Sequence, residues 1–165
     1  MVSWIRTAYG RATALLDSLK NPLLLAIRLY WGWQFAVDGW GKLTHLAKVA
    51  DYFTTLNLPA PHFTAGVVAF VEFAGGILLA VGLGTRLVSL ILFVNMTVAF
   101  LAAEQDAFLS FFSNPDKFQA ADAYNYWFAA LLILILGPGS LALDRLFTRR
   151  KSAAGQPARP AHARS

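Results

Sequence analysis

Four apolar stretches, each close in length to the thickness of a bilayer, constrain the fold of this chain more than any other feature. They run over about residues 22–43, 64–83, 87–103 and 124–143. A helix needs about 17–25 mostly apolar residues to cross the hydrocarbon core of a membrane. Only 14% of the 165 residues are charged, against roughly 25% in a soluble domain. The pattern predicts an all-α integral membrane four-helix bundle rather than a soluble core.

The predicted bundle forms one domain over residues 21–147, with a further segment on each side. Residues 1–20 place an apolar face opposite basic side chains. This is typical of an amphipathic helix that lies on a membrane surface or packs against the bundle. The basic tail 148–165 predicts a disordered segment near anionic lipid headgroups. Short helical segments are expected on the outer side of the bundle, which is the side opposite the N-terminus of the first span. Residues 46–56 in particular repeat apolar side chains at helical spacing. The Gly-Pro-Gly sequence at 137–139 should kink or end the fourth span.

Basic residues are unevenly divided between the two sides of this predicted bundle. Three of them, Lys42, Lys48 and Lys117, fall on the outer side. Ten fall on the side of the N-terminus: Arg6, Arg11, Lys20, Arg86, Arg145, Arg149, Arg150, Lys151, Arg159 and Arg164. Because basic flanks stay in the cytoplasm, both termini should be cytoplasmic, in a bacterial cytoplasmic membrane. The lipid bilayer then accounts for the net charge of +5, and no nucleic-acid partner is expected.

The chain contains no cysteine, which limits the chemistry that it can perform by itself. Thiolate metal sites, iron–sulfur ligation and dithiol exchange are excluded. His45, His62 and His162 do not lie deep in an apolar stretch, so neither a bis-histidine haem nor a metal site is predicted. We expect no covalently bound cofactor. Redox chemistry here would need a diffusible carrier such as a quinone, or a partner subunit.

A charged stripe lies within the first apolar stretch. Arg28, Trp31, Phe35, Asp38 and Lys42 are separated by three or four residues and therefore share one helix face. An ion in the hydrocarbon core costs at least about 2.5–3.5 kcal/mol. The stripe should therefore face other helices or water rather than lipid.

The second apolar stretch carries Glu72 in a row of small residues that would let two helices approach closely. Since the first stretch leads outward and the second inward, Glu72 should meet the charged stripe in the outer half of the bundle. Asn95 in the third stretch is expected in the inner half, near Arg28. In the alternative interpretation, Lys42 has no role in a pocket. It pairs with Asp38 or Glu72 and extends its ammonium group to the surface. The candidates for a polar pocket are Arg28, Asp38, Lys42, Glu72, Asn125, Tyr126 and His45, with Trp31, Phe35 and Trp40 as aromatic lining.

Three motifs in order resemble the DoxX family of small four-helix membrane proteins. They are RLYWGWQFAVDGWGKL, EFAGGILLAVGLGTRLVSLILFVNMTVAF and LGPGSLALDRL, and the resemblance covers about residues 21–147. It implies a four-helix membrane bundle and places Arg28, Lys42, Glu72 and Arg86 on family positions. Some family members resemble subunits of thiosulfate–quinone oxidoreductases. Others resemble membrane partners of redox-stress enzymes, and distant relatives resemble receptor-assembly chaperones.

The resulting functional hypothesis is a membrane subunit of a redox system that binds quinone or a similar amphipathic molecule. Its partner would be a soluble or membrane oxidoreductase, and a homo-oligomer is a further alternative. A non-enzymatic scaffold or assembly factor is the second hypothesis. A small-solute or proton carrier is the third, and ranks lower because the sequence has no inverted repeat. No catalytic residue is assigned, since the chain has neither a cofactor-binding motif nor a redox-active pair of side chains.

Overall fold

A computed structural model describes residues 2–145 and contains seven α-helices and no strand within that range. They are α1 (Val2–Thr44), α2 (Leu46–Thr55), α3 (Pro61–Val81), α4 (Thr85–Ala103), α5 (Gln105–Leu109), α6 (Pro115–Gln119) and α7 (Asp122–Leu136). The predicted all-α class is confirmed, and the short helical segments are α2, α5 and α6. The predicted tail 148–165 lies outside the described residues.

Four of these helices pack in a ring, in which α1 and α4 each contact both α3 and α7. The core inside the ring includes the buried side chains of Phe35, Leu79, Leu92 and Ile133. Helix α2 packs on α3 and α1, and α5 and α6 connect α4 to α7. We call the end of the bundle that bears α2, α5 and α6 the cap end. The opposite end, with the tight connection from α3 to α4, is the turn end.

Helices α3 and α4 are each long and apolar enough to cross a membrane. With 21 and 19 residues, they measure about 32 and 28 Å at 1.5 Å per residue, close to the roughly 30 Å of a hydrocarbon core. Helix α7 is apolar but has only 15 residues. It ends at Leu136 because Gly137 turns to a left-handed φ of 80° and Pro138 cannot continue the helix. The fourth apolar stretch is therefore interrupted at the predicted Gly-Pro-Gly.

Helix α1 runs without a break from Val2 to Thr44 and contains Pro22 in its interior. The structure therefore has no helix boundary near residue 20, where the sequence predicted one. An interior proline removes one backbone hydrogen bond and crowds the carbonyl four residues earlier, which bends a helix without necessarily ending it. Leu15, Leu16 and Leu19 are more than half exposed. These three leucine side chains therefore do not pack against the bundle.

Glycines bring the backbones of α1 and α3 into direct contact. A Cβ atom on Gly32 would lie 2.7 Å from the backbone nitrogen of Ala80 and from the carbonyl oxygen of Gly76. Gly39 meets the backbone of Phe73 in the same way. Small residues at helical spacing allow this approach. The contact fixes the register of the two helices and so determines which α1 side chains face Glu72.

The turn end is fastened by Arg28 and Asp144. The Arg28 guanidinium is 1% exposed, donates to the carbonyl oxygen of Pro138 and lies 3.4 Å from that of Ala80. The Asp144 carboxylate accepts from the backbone N–H groups of Gly84 at 2.6 Å and Thr85 at 2.9 Å. This places a negative charge at the N-terminus of α4, where the helix dipole favours it. Burial opposes ionisation of Asp144, but the backbone bonds outweigh it and hold the pKa of this carboxyl below its ordinary value.

Candidate functional site

A cavity of about 520 Å³ opens at the cap end between α1, α2, α3, α4 and α7. Its walls are mainly apolar and include Val49, Phe53, Leu56, Val68, Met96 and Ala99. Binding sites for small molecules typically measure about 300–1,000 Å³ and combine apolar walls with a few polar groups. The volume and the walls of this cavity both fit that description.

A polar cluster around Glu72 lies on the wall of the cavity. The Glu72 carboxylate is 1% exposed, and the Lys42 Nζ atom lies 2.6 and 2.5 Å from its two oxygens. Asn95 Nδ2 donates to Glu72 Oε1 at 3.1 Å. A buried carboxylate needs a partner of opposite charge and further hydrogen bonds to offset the loss of its hydration. Lys42 from α1 and Asn95 from α4 supply both.

Glu72 lies about halfway along α3, deeper than the sequence suggested. It follows Pro61 by 11 residues, or about 16 Å of helix, because α3 begins three residues before the predicted span. The expectation that Asn95 lies near Arg28 was wrong. Asn95 and Glu72 are at similar distances, 12 and 11 residues, from Leu83 in the tight α3–α4 connection. In an antiparallel helix pair, residues equally far from the turn lie at the same level, and this count would have placed Asn95 correctly.

A second polar pair joins α1 to α7 on another part of the cavity wall. The Tyr126 hydroxyl donates to Asp38 Oδ2, and both residues line the cavity. The Tyr126 ring packs edge-on against Phe35, with ring centroids 5.0 Å apart, and against Trp31 at 5.4 Å. Phe35 is fully buried and also lines the cavity. The structure thus brings together Asp38, Lys42, Glu72 and Tyr126, with Phe35 beside them.

Other predicted candidates lie outside this cavity. Arg28 belongs to the turn end, ten residues before Asp38 and about 15 Å away along α1. His45 lies at the exposed end of α1, where its Nδ1 atom is 3.0 Å from the carbonyl oxygen of Gly41. Asn125 is exposed and is not part of the lining. The prediction that these three side chains share a pocket with Glu72 was therefore wrong.

Two of the three predicted aromatic lining residues also lie elsewhere. Trp31 packs behind Tyr126 and does not reach the cavity surface. Trp40 is 56% exposed and packs on Phe73 outside the bundle, with ring centroids 5.4 Å apart. It follows Asp38 by two residues, which turns it about 200° around the helix axis, since one turn takes 3.6 residues. That rotation points Trp40 away from the cavity.

The sequence did not indicate the contribution of α2 or of Glu104. Helix α2 supplies Val49 and Phe53 to the wall, although its apolar repeat was visible in the sequence. The Glu104 carboxylate lines the cavity and accepts from the backbone N–H groups of Asp122 at 3.1 Å and Ala123 at 3.2 Å. It thereby caps α7 from the end of α4. Within residues 2–145, no three side chains of the metal-ligating types come together.

The model of the DoxX family matches residues 23–105, which is half of the chain. The chain belongs to the DoxX family. The matched region includes Asp38, Lys42, Glu72 and Asn95, and it ends before α7. The Glu72 cluster of this DoxX protein is therefore built from the part of the chain that defines the family, whereas Tyr126 lies beyond it.

Curated relatives of this DoxX protein include three bacterial proteins. The "Inner membrane protein YqjF" of Escherichia coli is 28% identical over 138 residues, which cover 82% of this chain and 99% of YqjF. The "Uncharacterized membrane protein Rv3486" of Mycobacterium tuberculosis is 29% identical over 148 residues, covering 86% and 91%. The "Putative oxidoreductase CatD" of Bacillus subtilis is 28% identical over 120 residues, covering 73% and 83%. No solved structure matches the chain. Together with the apolar helices α3 and α4, these similarities identify a membrane protein.

Proposed function

We propose that this protein is a membrane subunit of a redox system and that its cap-end cavity binds a quinone or a similar amphipathic molecule. The observation that carries the proposal is the pair of polar groups, Lys42–Glu72 and Tyr126–Asp38, on the wall of an apolar cavity. A quinone has an apolar ring with carbonyl oxygens that accept hydrogen bonds. The name of CatD, which contains the word oxidoreductase, supports the redox assignment.

The side chains have the donors and acceptors that such a ligand requires. An ammonium group has three N–H donors, so the two contacts of Lys42 with Glu72 leave one donor for a ligand carbonyl. Asp38 or Glu72 would take up or release the proton that accompanies a change in the ligand's redox state. The electrons would pass to or from a partner oxidoreductase, since the chain has no cysteine pair of its own.

The proposal includes an orientation in the membrane. Helices α1 and α7 would cross the bilayer together with α3 and α4. The cap end, with Lys42, Lys48 and Lys117, would face outward. The turn end, the N-terminus and the C-terminus would be cytoplasmic, in keeping with the larger number of basic residues on that side. The name of the Escherichia coli relative supports a bacterial cytoplasmic membrane.

Quinone binding can be tested by tryptophan fluorescence in nanodiscs. Trp31 packs against the cavity residue Tyr126, whereas Trp33 and Trp40 are exposed on the outside of the bundle. In a Trp4→Phe/Trp33→Phe/Trp40→Phe background, which keeps Trp31 and the core residue Trp127, decylubiquinone should quench the emission saturably. Glu72→Gln should weaken that quenching, while Glu104→Gln, on the cavity rim, should change it much less. Quenching no stronger than that of free tryptophan in the same lipid, in folded protein, would contradict the proposal.

A non-enzymatic scaffold is a second candidate, and one observation favours it. The Lys42–Glu72–Asn95 cluster links α1, α3 and α4 through contacts between its own members. A scaffold predicts that Glu72→Gln impairs folding or association with a partner protein while no quinone binds at any concentration. The fluorescence titration therefore separates the two candidates.

A further inference from the structure

The cavity reaches the lateral surface of the bundle, which would face lipid, at Val98 in α4. Val98 lines the cavity and is also 53% exposed. It follows Thr85 by 13 residues, so it lies about 20 Å along a helix of about 28 Å. At that depth in an apolar span, an exposed side chain contacts lipid rather than water. The cavity therefore has an opening on the side of the bundle, in addition to its cap end.

The α4 wall at this opening is built from small side chains. Ala99, Ala102 and Ala103 line the cavity with Val98, as two pairs spaced four residues apart along the helix. Residues at this spacing share one face, and their small volume keeps the space between α4 and α2 open. On the other side, α2 presents Tyr52, which lines the cavity and is 52% exposed. We call this opening between α2 and α4 the lateral slot.

Charged groups occupy a different part of the same cavity. Lys48 and Asp122 are exposed lining residues near the cap end, the partly exposed Glu104 lies there at the end of α4, and Glu72 and Lys42 form the buried cluster. The lateral slot itself is bordered by alanine and valine on α4. A molecule with a polar head and an apolar tail would satisfy both regions, with its head at the buried cluster and its tail in the slot.

We infer that the cavity exchanges its ligand with the bilayer through the lateral slot, and that the ligand is a lipid-soluble molecule whose apolar tail stays in the membrane. The identity of the head group rests on the proposed function. The slot rests independently on the exposure and lining of α4. The head group of the ligand and the lateral slot can therefore be tested separately.

The first experiment fills the slot with a large side chain. Ala102→Trp places an indole on the slot, and Leu101→Trp, at an exposed position that does not line the cavity, is the matched control. Ligands are decylubiquinone and the same quinone without its alkyl tail, titrated into full-length protein in nanodiscs. Ala102→Trp should weaken binding of the decyl compound about tenfold, or 1.4 kcal/mol, with a smaller effect on the tail-less quinone. Leu101→Trp should change neither. Equal affinities for the decyl compound in both variants would overturn the slot.

The second experiment does not depend on any ligand. Because the chain lacks cysteine, Val98→Cys carries the only thiol and accepts a single nitroxide spin label. Molecular oxygen, which concentrates in lipid, should collide with this label more often than a water-soluble nickel chelate. Ser113→Cys, on an exposed cap-end loop, should show the reverse order. Nickel collisions as frequent at residue 98 as at 113 would show an aqueous opening and refute the inference. If neither quinone binds the wild-type protein, the proposed function fails, and the spin-label result alone decides the slot.

Discussion

Replacing Lys42 with methionine should destabilise the fold more than replacing Glu72 with glutamine, although both substitutions break the same ion pair. Lys42→Met leaves a carboxylate that is 1% exposed with the neutral amide of Asn95 as its hydrogen-bond donor. Glu72→Gln leaves an ammonium group on a side chain that is 35% exposed. That side chain can extend toward the cap end and be hydrated. The charge left behind is therefore harder to accommodate in the methionine variant.

The expected magnitudes follow from the burial of each partner. Removing one member of a buried ion pair costs about 3–5 kcal/mol when the other charge stays buried. Glu72→Gln loses charge-assisted hydrogen bonds worth about 1.5–3 kcal/mol, and its amide oxygen can still accept from Asn95. We expect Lys42→Met to be less stable than Glu72→Gln by about 2 kcal/mol. The double variant should be more stable than the sum of the two losses predicts, because methionine then faces a neutral amide.

Reversible unfolding by SDS in mixed micelles, followed by tryptophan fluorescence, gives the free energy of unfolding for each variant. Lys48→Met is the matched control, since it removes an exposed lysine from the cavity rim. It should change the free energy of unfolding by less than about 0.5 kcal/mol. Equal losses for the two single variants, or strict additivity in the double variant, would refute the argument from unequal burial.

Three further predictions concern the helix contact, the turn end and the cavity. Gly32→Ala should reduce the free energy of unfolding by at least about 1–3 kcal/mol, because the new methyl group meets the backbone of α3. Gly41→Ala, with open space around its Cβ, should increase it by about 0.5–1 kcal/mol, and similar losses in both would contradict the contact. Asp144→Asn should reduce the free energy of unfolding by about 1–3 kcal/mol. It should also make that free energy depend less on pH under acidic conditions. Folding lowers the pKa of this carboxyl below 3.8, so its contribution is full above that pH and lost as the pH falls further; parallel pH profiles for wild type and variant would argue against this. On ligand binding the Tyr126 hydroxyl would turn from Asp38 to a quinone carbonyl, so Tyr126→Phe should weaken decylubiquinone binding about tenfold, and an unchanged titration would place the phenol outside the ligand contact.

The sequence predicted the helical class and part of the candidate site because these depend on spacing along single helices. Asp38 and Lys42 are four residues apart and therefore share a face of α1. Glu72 lies in a row of small residues that had to face another helix. Both inferences use the geometry of one helix and the high energy of a charge in lipid. They needed no information about the connections.

The positions of the remaining site residues depend on the connections between helices and on the rotation of each helix, which the sequence did not determine. Asn95 meets Glu72 because the α3–α4 connection is tight, and its level follows only once that turn is fixed. His45 and Asn125 sit at helix ends, where a small change in direction moves a side chain out of the cavity. The α2 wall depends on how a separate short helix folds over the bundle. The spacing of its apolar residues indicated that this segment is helical, but not where the helix lies.

The hydrogen bond between Arg28 and Pro138 joins residues 110 positions apart in the chain, which has a consequence for biogenesis. The first helix leaves the ribosome long before Pro138 is synthesised. Until then the buried Arg28 guanidinium lacks this partner, and leaving a buried polar group unsatisfied costs about 1–3 kcal/mol or more. The Arg28 contact that fastens the turn end can therefore form only when the chain is nearly complete. A chain ended after Leu136 should be degraded faster in pulse-chase labelling than the full chain, and equal lifetimes would show that Arg28 finds other partners during insertion.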